Sequence, residues 1–220
     1  MVISLYVYIV WLEVERKEVS TKNGNSNKVL PMHVEKAADT LLESAYGLHA
    51  IVIYSDSIML RELLSFYTKK SIEECNELVC LAPFYETSEI IRKVLSEGQL
   101  SIDIKKYERE KESLIIVDAL EKYLGMNGRT FDKESALKEN QDLIKYATDM
   151  NKDGVSIFGD LGAFLFKNQI QNLVTYESSL PIRFDNKFKG ICLYHQKDFE
   201  KLPEEYKEKI IQHHQIAIQI

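Results

Sequence analysis

Leu114-Ile115-Ile116-Val117-Asp118 is the stretch that decides the fold class. Four apolar residues run into an acid, the form of a buried strand that delivers a carboxylate to a magnesium ion. Upstream, Glu77-Leu78-Val79-Cys80-Leu81-Ala82 has the same apolar continuity, and Thr87–Leu95 has the spacing of the helix that follows it. A nucleotide enzyme would carry a phosphate-binding loop between them. The residues there are Leu81-Ala82-Pro83-Phe84-Tyr85-Glu86-Thr87-Ser88, with neither glycine nor lysine. A triphosphate needs backbone N–H groups at close approach and a lysine charge, and a glutamate in that place repels it.

Outward from this core the chain alternates. Pro31–Tyr46 is a predicted helix, with Pro31 at its start and Gly47 at its end. His49–Tyr54 is a strand, and Asp56 caps a helix running to about Lys69. Leu100–Ile104, Leu114–Val117, Val155–Phe158, Gly190–Tyr194 and Ile216–Ile220 have strand character. Ala119–Leu124, Asp132–Met150, Leu161–Tyr176 and Phe199–His213 have helical character. Strands alternating with helices predict an α/β fold, a mainly parallel central sheet with helices on both faces. Ligands of such sheets bind at the carboxyl ends of the strands, which here carry Tyr54, Ala82–Glu86, Asp118, Asp160 and Tyr194.

Residues 1–30 form an apolar arm (Met1–Leu12) and a polar linker (Ser20–Lys28), and residues 31–220 form one domain. The arm is too short to span a membrane and lacks a basic leader, so it predicts a strand that pairs with its own sheet or with a second copy. The net charge of −6 argues against direct nucleic-acid binding. An odd count of three cysteines, with no C-x-x-C pair, predicts a reducing, cytoplasmic location and argues against a structural zinc site.

The ordered set His49-Ala50-Ile51-Val52-Ile53-Tyr54, Glu77-Leu78-Val79, Leu114–Asp118, Gly154…Gly159-Asp160, Tyr176-Glu177 and Ile191-Cys192-Leu193-Tyr194…His214 resembles the MEDS domain. That is the sensory domain of DcmR-type regulators of methanogens and methylotrophs. The likeness covers roughly residues 46–220. It implies a three-layer sandwich like the KaiC and RecA ATPases, with a degraded phosphate loop. Against G-x-x-x-x-G-K-[ST], Leu81 and Glu86 stand at the glycines and Thr87 at the lysine, while Ser88 keeps its type. The resemblance further implies sensing of small organic molecules, with output to a kinase or a transcriptional regulator. Two positions depart from the family pattern: His195 stands after Tyr194 where an acid is usual, and Gln215 after His214 where proline is usual.

The candidate ligand-binding residues are His49, Tyr54, Phe84, Tyr85, Glu86, Ser88, Asp118, Asp160, Tyr176, Glu177 and Tyr194. Asp118 is either a remnant magnesium carboxylate or a helix cap. Phe84 and Tyr85 either line a site for an apolar ligand or plug a vacated cavity. Tyr176-Glu177 either holds a ligand or is a surface helix end, and His49 is either a pocket residue or a structural one. A Ser88/His49/Asp118 triad has no G-x-S-x-G elbow behind it. His213, His214 and His195 do not suggest a metal, because neighbouring histidines on a helix point apart and no acid stands at i+3 or i+4. The expectation is a non-catalytic sensory module with no cofactor and no metal. It would bind a small organic ligand or a signalling protein, and could self-associate through Met1–Trp11. The alternative is an ATPase-like protein with an atypical phosphate loop.

Overall fold

A computed structural model of the chain describes residues 28–98, 100–125 and 131–220. The apolar arm and the linker up to Asn27 lie outside those residues. The described strands are β1 (Leu30–Pro31), β2 (His49–Tyr54), β3 (Leu78–Ala82), β4 (Leu114–Ile116), β5 (Val155–Asp160), β6 (Phe188–His195) and β7 (Ile216–Gln219). They form one sheet in the order β1-β7-β2-β6-β5-β3-β4, and every pairing is parallel. The helices are α1 (Val34–Glu43), α2 (Ser57–Glu73), α3 (Ser88–Ser96), α4 (Ala119–Leu124), α5 (Lys133–Asp149), α6 (Gly162–Phe166), α7 (Ile170–Ser179), α8 (Gln196–Phe199) and α9 (Glu204–Gln212).

The strands of the sheet interior are apolar on both faces because both faces are covered. All six residues of β2 are buried. Ala50, Val52 and Tyr54 join the core beneath α1, α2 and α3, while Ile51 and Ile53 join the core beneath α6, α7 and α9. The period of two thus sorts each strand between two cores, giving the three-layer α/β sandwich. Helix starts follow local chemistry: Asp56 accepts from the Ile58 and Met59 amides, Thr87 from Ile90, Asp118 from Glu121 and Asp132 from Glu134.

Four segments differ from the sequence expectation. Pro31 does not start a helix but pairs beside Gln219 in β1, and α1 runs only from Val34 to Glu43. Leu100–Ile104 is not a strand. Ile102 is buried by its side chain, its amide bonds the Leu95 carbonyl, and Asp103 turns the chain by accepting from the Lys106 amide. Leu161–Tyr176 is two helices, α6 and α7, broken where Asn168 takes φ of 55°. Phe199–His213 is likewise divided, because Pro203 opens α9 as a new helix after α8.

Candidate functional site

The sheet brings the ends of four strands together. The connection after β2 leads to α2 on one face of the sheet, and the connection after the neighbouring β6 leads to α8 on the other. Such a divergence opens a crevice at the carboxyl ends of the strands. Tyr54, the last residue of β2, donates its hydroxyl proton to Asp160 Oδ2 at 2.7 Å. Asp160 ends β5 and is fully buried. Its Oδ1 accepts the Gly162 amide at 2.9 Å, and the Phe84 amide approaches Oδ2 at 3.4 Å. Burial pushes the Asp160 pKa up to about 6 against the opposing pull of these hydrogen bonds. Burial, and then the neighbouring Asp160, push the Tyr54 hydroxyl well above its ordinary value.

The residues after β3 close over this pair. The Phe84 ring lies 4.8 Å from Tyr85 and 5.5 Å from Phe166, and Tyr85 lies 5.1 Å from His195. Tyr85 donates to Asp198 on α8 and stays 43% exposed, so it forms the outer wall. Glu86 turns inward. Its Oε1 accepts both Arg61 Nε at 3.1 Å and Arg61 Nη2 at 2.8 Å, although the residue is 7% exposed. This buried acid is tolerated because the Arg61 fork binds it. Gly162 permits the closure: a Cβ there would meet Phe84 at 2.9 Å and Tyr85 at 3.0 Å.

Of the sequence candidates, Tyr54, Phe84, Tyr85 and Asp160 therefore meet at the carboxyl ends of the strands, and Glu86 turns from the same loop to Arg61. Ser88 and Asp118 lie elsewhere, lining a cavity of about 870 Å³ beside β4 with Arg92, Lys122 and Tyr146. Asp118 caps α4 there, and His49 is not among the residues of that cavity, so Ser88, His49 and Asp118 do not assemble as a triad. His49, Tyr176, Glu177 and Tyr194 converge on the opposite face of the sheet, under α7. Tyr176-Glu177 is not a surface helix end: Tyr176 is 4% and Glu177 1% exposed, and Tyr194 donates its hydroxyl proton to Glu177 Oε1.

Three residues absent from the candidates belong to these places. His195 faces both Tyr54 and Tyr85, and its Nδ1 accepts the Lys197 amide at the start of α8. Asp198 anchors Tyr85. Gln215 donates its amide to the His49 carbonyl and accepts the His49 amide at its side-chain oxygen, a two-bond clamp that a proline could not make. His195 and Gln215 are the two departures from the family pattern, so that mismatch was the signal available in the sequence. No described helix is long and apolar enough to cross a membrane.

A family profile described as "MEthanogen/methylotroph, DcmR Sensory domain" (MEDS) matches residues 48–215. No curated protein matches the chain at a significant level.

Proposed function

Because the chain belongs to the MEDS family of sensory domains, we propose that it is a non-catalytic sensory module. Its input is a small, weakly polar organic molecule taken up at the crevice of Tyr54, Asp160, Phe84 and Tyr85. The observation that carries this reading is the closure of the crevice by Phe84 and Tyr85 over the buried Tyr54–Asp160 pair. The buried acid Glu86 stands where a nucleotide site needs a glycine amide. Aromatic walls with a few convergent polar atoms suit a small organic ligand.

Tyr85 is the movable part, since it is half exposed and its hydroxyl is anchored to Asp198. A ligand that displaces its ring releases Asp198, and with it the short helix α8. The output follows that helix to a partner kinase or regulator. Thermal shifts of the full chain against a panel of short alcohols, amines and ketones test the reading. One chemical class should raise the melting temperature, Phe84→Ala should weaken that response, and Tyr85→Phe should strengthen it about fivefold by removing a hydrogen bond of about 1 kcal/mol. Equal responses in the native chain and both variants would place the ligand elsewhere.

A further inference from the structure

Four chemically reactive side chains meet beneath α7, away from the crevice. His49 opens β2, Cys192 lies in β6, Glu177 is on α7 and His214 precedes β7. Their exposures are 0%, 6%, 1% and 0%. Cys192 Sγ is 3.6 Å from His49 Nε2 and 3.8 Å from Glu177 Oε2. Glu177 Oε2 is 3.9 Å from His49 Nε2 and 3.5 Å from His214 Nε2. One donor atom from each residue fits within a 4.8 Å span.

We infer that His49, Glu177, Cys192 and His214 form a binding site for one zinc ion. A tetrahedral site with ordinary zinc–ligand lengths has edges of about 3.3 Å between nitrogen and oxygen ligands and about 3.5 Å where sulfur takes part. Four edges of the cage, 3.5–3.9 Å, are slightly wider, and the donor atoms must draw in from a span of up to 4.8 Å to close on the ion. Two imidazoles, a thiol and a carboxyl match the borderline-soft preference of zinc and its tetrahedral geometry.

The surroundings orient the ligands as a metal requires. His214 Nδ1 lies 2.7 Å from the Ile210 carbonyl, which takes the proton at Nδ1 and turns Nε2 towards Glu177. Tyr194 holds the other oxygen of Glu177. The Gln215 clamp fixes the His49 backbone from both sides, and His214 with it. All four side chains are buried, and a divalent ion would give the Glu177 carboxyl a cationic partner there. Binding converts the Cys192 thiol to a zinc thiolate and releases one proton to solvent. The ion then ties β2, β6, α7 and the start of β7 together.

His49, Glu177, Cys192 and His214 all stand in the family-like set, but the sequence expectation was no metal, since it looked to C-x-x-C pairs and to His195, His213 and His214. His213 in fact donates from Nε2 to the Leu180 carbonyl. The site is tested on the full chain, loaded with zinc or cobalt(II), desalted and analysed for metal. About one ion per chain should be retained, and zinc should raise the melting temperature by several degrees. The cobalt form should show tetrahedral ligand-field bands and a thiolate charge-transfer band. Cys192→Ser should remove that band, and Cys75→Ser should keep it. If Cys192→Ser does not fold, Glu177→Gln should keep the thiolate band, shift the ligand-field bands and retain less metal, and a cobalt spectrum and metal content unchanged by it would equally count against the site. Retention of less than about a tenth of an ion per native chain, or a cobalt spectrum indifferent to Cys192→Ser, would overturn the inference.

Discussion

The Tyr54 hydroxyl donates to Asp160 Oδ2 at 2.7 Å across 106 positions of sequence, joining the end of β2 to the end of β5 inside the protein. The neighbouring pairings make the contact: β6 lies between the two strands, with Tyr54 beside His195 and Asp160 beside Leu193. The pair lies beneath Phe84 and Tyr85, and burial raises the pKa of its carboxyl.

That sensitivity has a definite sign. The folded pKa of Asp160 is about 6, above its ordinary value of 3.8. The folded chain therefore holds the proton more tightly than the unfolded chain does. The stability this provides is complete below about pH 4 and is lost as pH rises to about 6, about 3 kcal/mol in all. Asp160→Asn should remove this loss, its amide donating to Tyr54 while its oxygen keeps the Gly162 amide. Urea midpoints of both chains from pH 4 to 7 should converge at the acid end and separate above it, with the variant the more stable.

Gly159 lies in the middle of the described sheet, and a Cβ added there would come within 1.9 Å of the Tyr123 hydroxyl. Tyr123 cannot yield, because it is 3% exposed and packed against Phe164 and Tyr176. Gly159→Ala should lower the free energy of unfolding by about 1–3 kcal/mol, the usual cost of overfilling a packed core, as read from the urea midpoint.

Glu77 and Lys189 form a buried ion pair at 3.3 Å, with 1% and 3% of their side chains exposed. Glu77 also accepts from Ser71 and Ser156, and Lys189 donates to the Leu42 carbonyl. Removing one partner strands the other charge, so Lys189→Met should cost about 3–5 kcal/mol. The double variant Glu77→Gln with Lys189→Met should recover much of that loss. Denaturation of the two variants and the native chain completes the comparison.

The parts of the fold that were legible in sequence are those fixed by local chemistry. The apolar runs at His49–Tyr54 and Leu78–Leu81 read as buried strands, and Asp56, Thr87 and Asp132 as helix starts, while Asp118, left open between a carboxylate for magnesium and a cap, proved to be the cap. Leu100–Ile104 misled because alternating isoleucines report which side chains are buried, and a loop anchored by Ile102 and Ile104 buries them as a strand would. The long helical stretch at Leu161–Tyr176 misled because apolar spacing does not register a single left-handed residue such as Asn168.

The crevice was half legible. Strand ends pointed to Tyr54, Phe84, Tyr85, Glu86 and Asp160, since topology sends such ends to one edge. Asp118 followed from the same rule and Ser88 from the phosphate-loop pattern, and both went astray: β4 is an edge strand of the described sheet, and both residues line a different cavity beside it. Of the cluster of His49, Glu177, Cys192 and His214, sequence reasoning named His49 and Glu177 as candidates but not their meeting with the other two. Its members come together through the β2–β6 and β2–β7 pairings, and no spacing along the chain encodes those pairings.

The central claim is that the crevice is a sensory pocket closed by Phe84 and Tyr85 and unfit for a nucleotide. Isothermal titration of the full chain with ATP and magnesium tests it most directly. The account predicts no heat of binding up to millimolar nucleotide, with or without Tyr85. Micromolar binding of ATP, or turnover abolished by Asp118→Ala, would contradict it.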